Sequence, residues 1–197
     1  MEKPANTLLD IHPVIKKRWS PRAFAGKKVD PGQLQRIFEA ARWAPSSFNE
    51  QPWRFIVGVK GDETFEKLHD SLTEFNQKWA VNAQVLVLAI GNTVSSKGDT
   101  NPVYEYDVGQ SMAYITFQLV TEGLSAHQMG GFSKEKAVEH FSIPADHQPM
   151  VMMAIGYQDS PESLPGNFAE MERAPRERKP MDELVFSERF GTPADLD

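Results

Sequence analysis

The chain has no cysteine among its 197 residues, which excludes disulfide bonds, thiolate metal sites and cysteine nucleophiles. It also has no apolar run close to the roughly 20 residues that a membrane-spanning helix needs. Its N-terminal stretch lacks the long uninterrupted apolar segment of a signal peptide. A reducing compartment is therefore permitted. We expect a cytoplasmic protein without a membrane partner.

The common catalytic and nucleotide-binding motifs are absent as well. No GxGxxG follows a strand pattern, no GxxxxGK[ST] occurs, and no GxSxG surrounds Ser46 or Ser47. The five histidines, His127 among them, form no HExxH motif, so we assign no metal site. Glu105 and Asp107 are two positions apart on a predicted helix, where side chains do not face one another, so an acid/base pair is not indicated. No catalytic side chain is assigned.

The charge balance argues against a nucleic-acid partner. The 21 basic and 27 acidic residues give a formal net charge of −6, which repels a phosphate backbone. Basic residues nevertheless cluster at both ends of the chain, in residues 1–28 and 173–180. Such clusters are either solvated charged faces or parts of an anion site. Charge patterning alone leaves both interpretations open.

Hydrophobic periodicity predicts helices that alternate with a few strands. Asp30 and Pro31 form a cap and first turn for a helix that ends at Ala44–Pro45, and an apolar strand follows at 53–60. The tryptophans at the two ends of the bend between them, Trp43 and Trp53, are interpreted as core residues. The other predicted elements are an interrupted helix at 62–82, a strand at 84–90, helices at 103–123 and 133–141, a strand at 150–157, and a strand candidate, ELVF, at 183–186.

This pattern of elements predicts an α/β or α+β layered domain. No internal repeat or linker divides the chain. We therefore expect a single domain over residues 1–197, in which 158–197, rich in proline and charge, form an extended C-terminal arm.

Two polar stretches stand out against this scaffold, RWSPR at 18–22 and APSSFNEQPW at 44–53. With these residues the sequence resembles the FMN-dependent nitroreductase family, in which both stretches hold FMN. Three further positions match that family in order: Asn76 before the second strand, AHQMGGF at 126–132 and RERKP at 176–180. The resemblance therefore extends over nearly the whole chain.

The resemblance implies which residues contact FMN. Arg18 and Ser20 would bind the phosphate, because a guanidinium group binds phosphate through two hydrogen bonds and stays charged at any working pH. Arg22 would lie at the pyrimidine edge of the flavin, where its charge favours the anionic reduced ring. The complete predicted set is Arg18, Trp19, Ser20, Arg22, Pro45, Ser46, Ser47, Asn49, Gln51, Asn76, Gln128, Met129, Gly130, Gly131, Arg176 and Arg178.

The chemistry of the bend at 44–53 agrees with that implied role. Its serine, asparagine and glutamine side chains are short donors and acceptors suited to the ribityl chain and ring edges, and its two prolines fix the bend. The alternative is an ordinary polar loop capped by its own serines. Phe48 either lines the substrate face or packs in the core. Gly130 and Gly131 either allow close approach to the ring or form a plain turn. Trp79 stands where some members place a lysine near the flavin.

The resemblance also implies the fold, assembly and reaction. The fold would be α+β with three layers, in which helices flank a mostly antiparallel sheet and a C-terminal strand is exchanged in an obligate homodimer with FMN sites at the interface. The reaction would be ping-pong hydride transfer from NADH or NADPH through flavin N5 to a nitroaromatic, a quinone or a similar small-molecule acceptor. Two alternatives remain: another flavin reaction on the same fold, such as enoyl or aldehyde reduction or ring dehydrogenation, and a non-catalytic flavin-binding module.

Overall fold

An antiparallel sheet organises the structure, a computed structural model that describes residues 2–196. Its strands are β1 (Trp53–Val59), β2 (Val85–Asn92), β3 (Ser125–Met129) and β4 (His147–Gly156). Their spatial order is β1-β2-β4-β3, and each neighbouring pair is antiparallel. The two central strands, β2 and β4, are the most buried, because each has a neighbouring strand on both sides.

Helices precede, connect and follow the strands. They are α1 (Pro13–Lys17), α2 (Pro31–Arg42), α3 (Glu63–Ser71), α4 (Glu74–Ala80), α5 (Tyr104–Thr121), α6 (Lys134–Phe141) and α7 (Phe168–Arg173). Short 3-10 turns lie at Ser47–Asn49, Pro161–Ser163 and Met181–Glu183. No helix within residues 2–196 combines the length and the apolar character needed to cross a membrane.

Strand β2 shows how the layers form, because alternate side chains of a strand point to opposite faces of the sheet. Val85, Val87 and Ala89 pack in one core with α2 and α5. Their neighbours Leu86, Leu88 and Ile90 pack in a second core with α3, α4 and α6. Helices therefore cover both faces of an antiparallel sheet, and the prediction of a three-layer α+β fold is confirmed.

Helix α2 begins as predicted. The Asp30 carboxylate accepts from Gly32 N at 2.8 Å, and the Gln33 side chain accepts from Asp30 N at 3.1 Å, which satisfies free N–H groups of the first turn. The helix ends at Arg42, before the predicted boundary, and Trp43 is its C-cap. The interpretation of Trp43 as a core residue is wrong, because its ring is 71% exposed and donates to Glu39 Oε1 at 2.9 Å. Trp53 is buried as predicted.

Two connections refine the predicted elements. The interruption expected within 62–82 lies at Leu72 and Thr73, between α3 and α4, where Thr73 N donates to Gly131 O at 3.0 Å. Strand β3 was not predicted, since its sequence SAHQM lacks a clear apolar alternation. Its pairing with β4 forms it, and only Gly130 and Gly131 remain as a loop.

The C-terminal stretch does not contain the predicted strand within this chain. Residues 183–186 follow the turn at Met181–Glu183, and Leu184 is exposed. The tail instead folds back on itself, with Ser187 N donating to Thr192 O at 2.9 Å and Ala194 N to Val185 O at 3.1 Å. These local bonds take the place of pairing with the sheet of the same chain. Exchange of this stretch with a second subunit remains a prediction.

Candidate functional site

The RWSPR stretch forms an extended bend that the sheet anchors. It begins where α1 ends, and Arg18 Nη1 donates to Ser20 Oγ at 3.2 Å. Beyond the bend, Ala25 N donates to Tyr157 O and Asp159 N to Ala23 O, both at 2.9 Å. The backbone that follows the bend is therefore fixed beside the residues that follow β4.

The two basic ends of the chain meet at this bend. Burial lowers the pKa of Arg18, and the positive charges of Arg176 and Arg178 lower it further, so the three guanidinium groups lie near one another. Arg176 Nη1 also donates to the carbonyl oxygens of Lys3 and Lys16. Neighbouring guanidinium groups repel, and an anion bound between them would relieve that repulsion. This geometry favours an anion site over independent solvated faces.

A buried carboxylate holds the other side of the bend. Glu172 of α7 is 1% exposed and accepts from Arg22 N at 2.9 Å and from Ala23 N at 3.1 Å. Its Oε2 lies 4.0 Å from Arg22 Nη1. Burial lowers the pKa of Arg22, while the Glu172 charge opposes that change. Arg22 Nε is buried and has no hydrogen-bond partner within residues 2–196.

His127 supports the bend from β3. Burial lowers the pKa of His127 to about 4, and the nearby charge of Arg22 contributes, so its ring is neutral near pH 7. Its Nδ1 lies 3.2 Å from Pro21 O. A carbonyl oxygen can only accept, so Nδ1 carries the proton of the neutral ring. The ring lies 4.7 Å from that of Trp79, which is fully buried in the core.

The glycine loop and Asn76 form one unit. Asn76 Nδ2 donates to Gly131 O at 3.0 Å, and a Cβ at Gly131 would lie only 2.7 Å from that nitrogen. A Cβ at Gly130 would meet nothing within 4 Å, so that side of the loop is open. Of the two preceding residues, Met129 is buried in the core and Gln128 donates to Thr116 Oγ1 at 3.3 Å. The open part of the loop is therefore its backbone at Gly130.

The polar bend at 44–53 has a strained backbone. Phe48, Asn49 and Gln51 have φ angles of 49°, 58° and 47°, a region that costs roughly 1 to 2 kcal/mol for each residue other than glycine. Gln51 N donates to Ser46 Oγ at 3.1 Å, which fixes part of the turn. The Phe48 ring is 95% exposed, so it does not pack in the core of its own chain. Strain of this kind is typical of functional loops.

The bend is attached to α5, at a place separate from the arginines. Ser47 N donates to the buried carboxylate of Asp107 at 3.1 Å. Gln110 Nε2 lies 3.5 Å from Pro45 O. In the described part of the chain, no hydrogen bond or ion pair joins this bend to Arg18 or Arg22. One chain thus brings Arg18, Arg22 and the C-terminal arginines together, and it does not bring the bend to them.

Three residues that support the site were missed from the sequence: Glu172, His127 and Asp107. Each is a buried or half-buried polar group that holds a bend through backbone atoms. For Glu172 a signal was present, because Phe168 lies four residues earlier and shares its buried helix face. Within residues 2–196 no group of three or more His, Asp or Glu side chains could hold a metal ion.

Comparisons with known proteins identify the family. Residues 15–157 match the Nitroreductase family. A solved structure described as an oxidoreductase containing FMN superposes with a TM-score of 0.89 at 35% identity, covering 95% of this chain and 96% of that one. The chain therefore belongs to the Nitroreductase family, and the resemblance read from RWSPR and APSSFNEQPW is confirmed.

Two relatives of named activity are more distant. The major NAD(P)H-flavin oxidoreductase of Aliivibrio fischeri is 32% identical over 135 residues, which cover 65% of this chain and 57% of that protein. The NADH dehydrogenase of Thermus thermophilus is 25% identical over 198 residues, covering 84% of this chain and 95% of that protein. The similarity to both proteins includes most of this chain.

The neutral state of His127 predicts a pH dependence of stability. Its pKa in the folded protein, about 4, lies below the ordinary value of 6.5, so its contribution is complete above pH 6.5 and is lost as the pH falls towards 4. The loss should reach the order of 3 kcal/mol. Urea unfolding of the wild type and of His127→Gln should show a stability difference that shrinks over this range, with His12→Gln as the exposed control. A difference that is constant from pH 7 to 4 would contradict this assignment.

Proposed function

We propose that the chain is an FMN-dependent NAD(P)H oxidoreductase that reduces nitroaromatics, quinones or similar small acceptors in a ping-pong cycle. Family membership supports an oxidoreductase, and the relatives described as containing FMN and as using NAD(P)H support the cofactor and the hydride donor. Bound FMN would supply the chemistry, since its N5 can accept a hydride from NAD(P)H and pass it to the acceptor. The chain itself would bind and orient FMN and would tune its reduction potential.

The observation that carries this proposal is the convergence of Arg18, Arg176 and Arg178, in which Arg176 donates to Lys3 O and Lys16 O and the charges of Arg176 and Arg178 lower the pKa of Arg18. These arginines come from opposite ends of the sequence. A dianionic phosphate bound between them would compensate for their mutual repulsion. Ser20 stands beside Arg18 and adds a hydroxyl donor. These groups suit the phosphate of FMN, whose other end would reach Arg22.

Other parts of the site would serve the ring and the substrate. Arg22 would lie near the pyrimidine edge, where its charge stabilises negative charge on the ring. The open backbone at Gly130 would let the ring approach closely, with Asn76 holding the loop in place. Phe48 is free to cover the acceptor, because its ring is exposed.

Cofactor release and turnover test this function directly. The purified protein should be yellow and should release FMN, and no FAD, on denaturation, because the sequence has no GxGxxG motif that would indicate a site for the adenylate half of FAD. Addition of a nitroaromatic or quinone should increase the steady-state oxidation of NADH or NADPH. A colourless protein that binds no added FMN would refute the proposal. FMN binding without turnover on any acceptor would favour a non-catalytic flavin-binding module.

Arginine substitutions test the phosphate end. Arg18→Ala and Arg178→Ala should each weaken FMN binding by roughly 1.5 to 3 kcal/mol, the range for lost charge-assisted hydrogen bonds. Lys179→Ala removes an adjacent exposed charge and should leave the FMN affinity nearly unchanged. Fluorescence titration of the apoproteins gives the three dissociation constants. Wild-type affinity in both arginine variants would show that the basic ends are solvated.

We further propose that residues 1–197 form one domain, with 158–197 as its arm, and that two copies form an obligate homodimer. Apolar residues on α1 and α5 remain exposed in the single chain: Ile15, Tyr106, Tyr114 and Phe117. A largely apolar cleft of about 400 Å³ lies between α1, α2 and α5. Exposed apolar area of this kind is typical of an interface, and symmetric dimers are the commonest oligomers. A second copy would bring its polar bend to the arginines of the first.

Removal of the tail tests this assembly. Truncation before Pro180 keeps the arginines but removes the stretch 183–186 that would add a strand to the partner's sheet. The truncated protein should lose dimerisation and FMN in sedimentation velocity runs monitored at 280 and 450 nm, and exposed sheet edges should promote aggregation. A soluble truncated monomer with full FMN content would contradict the shared-site arrangement.

A further inference from the structure

Glu172 contributes a buried carboxylate to the site, and the proposed function gives this carboxylate no role. Its side chain is 1% exposed, and its two oxygens face the backbone N–H groups of Arg22 and Ala23. Burial of an ionised carboxylate is costly unless hydrogen bonds and a counter-charge compensate for it. Both kinds of compensation come from one short segment of the chain, the bend that contains Arg22.

Glu172 also connects the bend to both ends of the chain. Its backbone oxygen accepts from Lys3 Nζ at 2.6 Å. It lies on α7, four residues before Arg176, whose guanidinium group donates to Lys3 O. The backbone of α7 at Glu172 is therefore tied to the N-terminal segment, while its carboxylate holds the bend.

We infer that Glu172 is a positioning residue that fixes Arg22 in the proposed FMN site and, through the charge of Arg22, sets the reduction potential of the bound flavin. The inference rests on the proposed function. The positive charge of Arg22 stabilises the negative charge that the flavin ring gains on reduction. Glu172 Oε2, 4.0 Å from Arg22 Nη1, offsets part of that positive charge and keeps the potential lower than Arg22 alone would.

The surroundings single out Arg22 as the group through which Glu172 acts. Lys3 also feels the Glu172 charge, but its Nζ is bonded to the carbonyl oxygens of Glu172 and Ala174 and lies over the Trp19 ring. His127, on the other side of the bend, is neutral near pH 7. Within residues 2–196, Arg22 is the cation whose side chain lies within salt-bridge distance of the Glu172 carboxylate.

The variant Glu172→Gln separates charge from shape. One oxygen of Glu172, Oε1, accepts from both Arg22 N and Ala23 N, and a glutamine oxygen in that place can keep both bonds, while the longer bond from Arg22 N to Oε2 at 3.1 Å is lost. FMN affinity should therefore stay within about threefold of the wild type, a change of less than 1 kcal/mol. The midpoint potential of the bound flavin should move in the positive direction, as measured by equilibration with reference dyes. Glu170→Gln, an exposed position on the same helix, is the matched control and should leave the potential unchanged.

A double-mutant cycle tests the route through Arg22. If Glu172 acts through that charge, Glu172→Gln should shift the potential in the wild type and should have little effect in an Arg22→Gln background. Equal shifts in both backgrounds would overturn the inference, as would an unchanged potential in Glu172→Gln. A wild type that binds no FMN would instead refute the proposed function, so the two failures are distinguishable.

A shorter acid covers the case in which Glu172→Gln does not fold. Glu172→Asp keeps the charge but withdraws it from Arg22 and from the two backbone N–H groups by one methylene. Because Arg22 is then no longer fixed, apoprotein titrations should show at least about tenfold weaker FMN binding, near 1.4 kcal/mol. Wild-type potential and affinity in Glu172→Asp would overturn the inference.

Discussion

The repulsion between like charges from opposite ends of the chain is the constraint on which this site depends. Arg18, Arg176 and Arg178 lie near one another although burial and mutual repulsion both disfavour their charged forms. Neutral acceptors hold part of the cluster in place, because the carbonyl oxygens of Lys3 and Lys16 accept from Arg176. The protein thus orders the guanidinium groups without cancelling their charge, which leaves them able to bind an anion.

The sheet supplies the rigidity that this arrangement requires. Strand β4 is central, and the residues beyond it pair with the backbone that leaves the RWSPR bend. Strand β3 lies at the edge beside it, contributes His127 to the bend, and ends at Met129, directly before the open loop at Gly130. Two site segments far apart in sequence are therefore positioned by adjacent strands, as expected for a site built on a rigid scaffold.

Local sequence signals predicted much of the fold. Several predictions failed where contacts between residues far apart in sequence determine the structure. The cap at Asp30 and the two-sided apolar strand at 84–90 are local signals, and both elements formed as predicted. Strand β3 and the ELVF stretch depend on a pairing partner, which periodicity does not report. Trp43 was misplaced because it follows the buried Ala41 by two positions, and residues two apart do not share a helix face. The family resemblance named the proposed site arginines, but for Glu172 the sequence offered only its spacing from Phe168, and its burial is seen in the structure.

The polar bend differs from the arginine cluster in that its backbone conformation, rather than its charge, is unfavourable. Its three left-handed residues and exposed Phe48 are unfavourable in an isolated chain, and the buried Asp107 carboxylate and Ser46 hold it in that form. A bend fixed in an unfavourable conformation loses little conformational entropy when it contacts a ligand or a second copy of the chain. The rigid support for that bend is α5, on which Tyr106, Tyr114 and Phe117 are exposed. Contact of a second copy with α5 would therefore determine where the bend is presented, so that assembly and cofactor binding would be coupled through one helix.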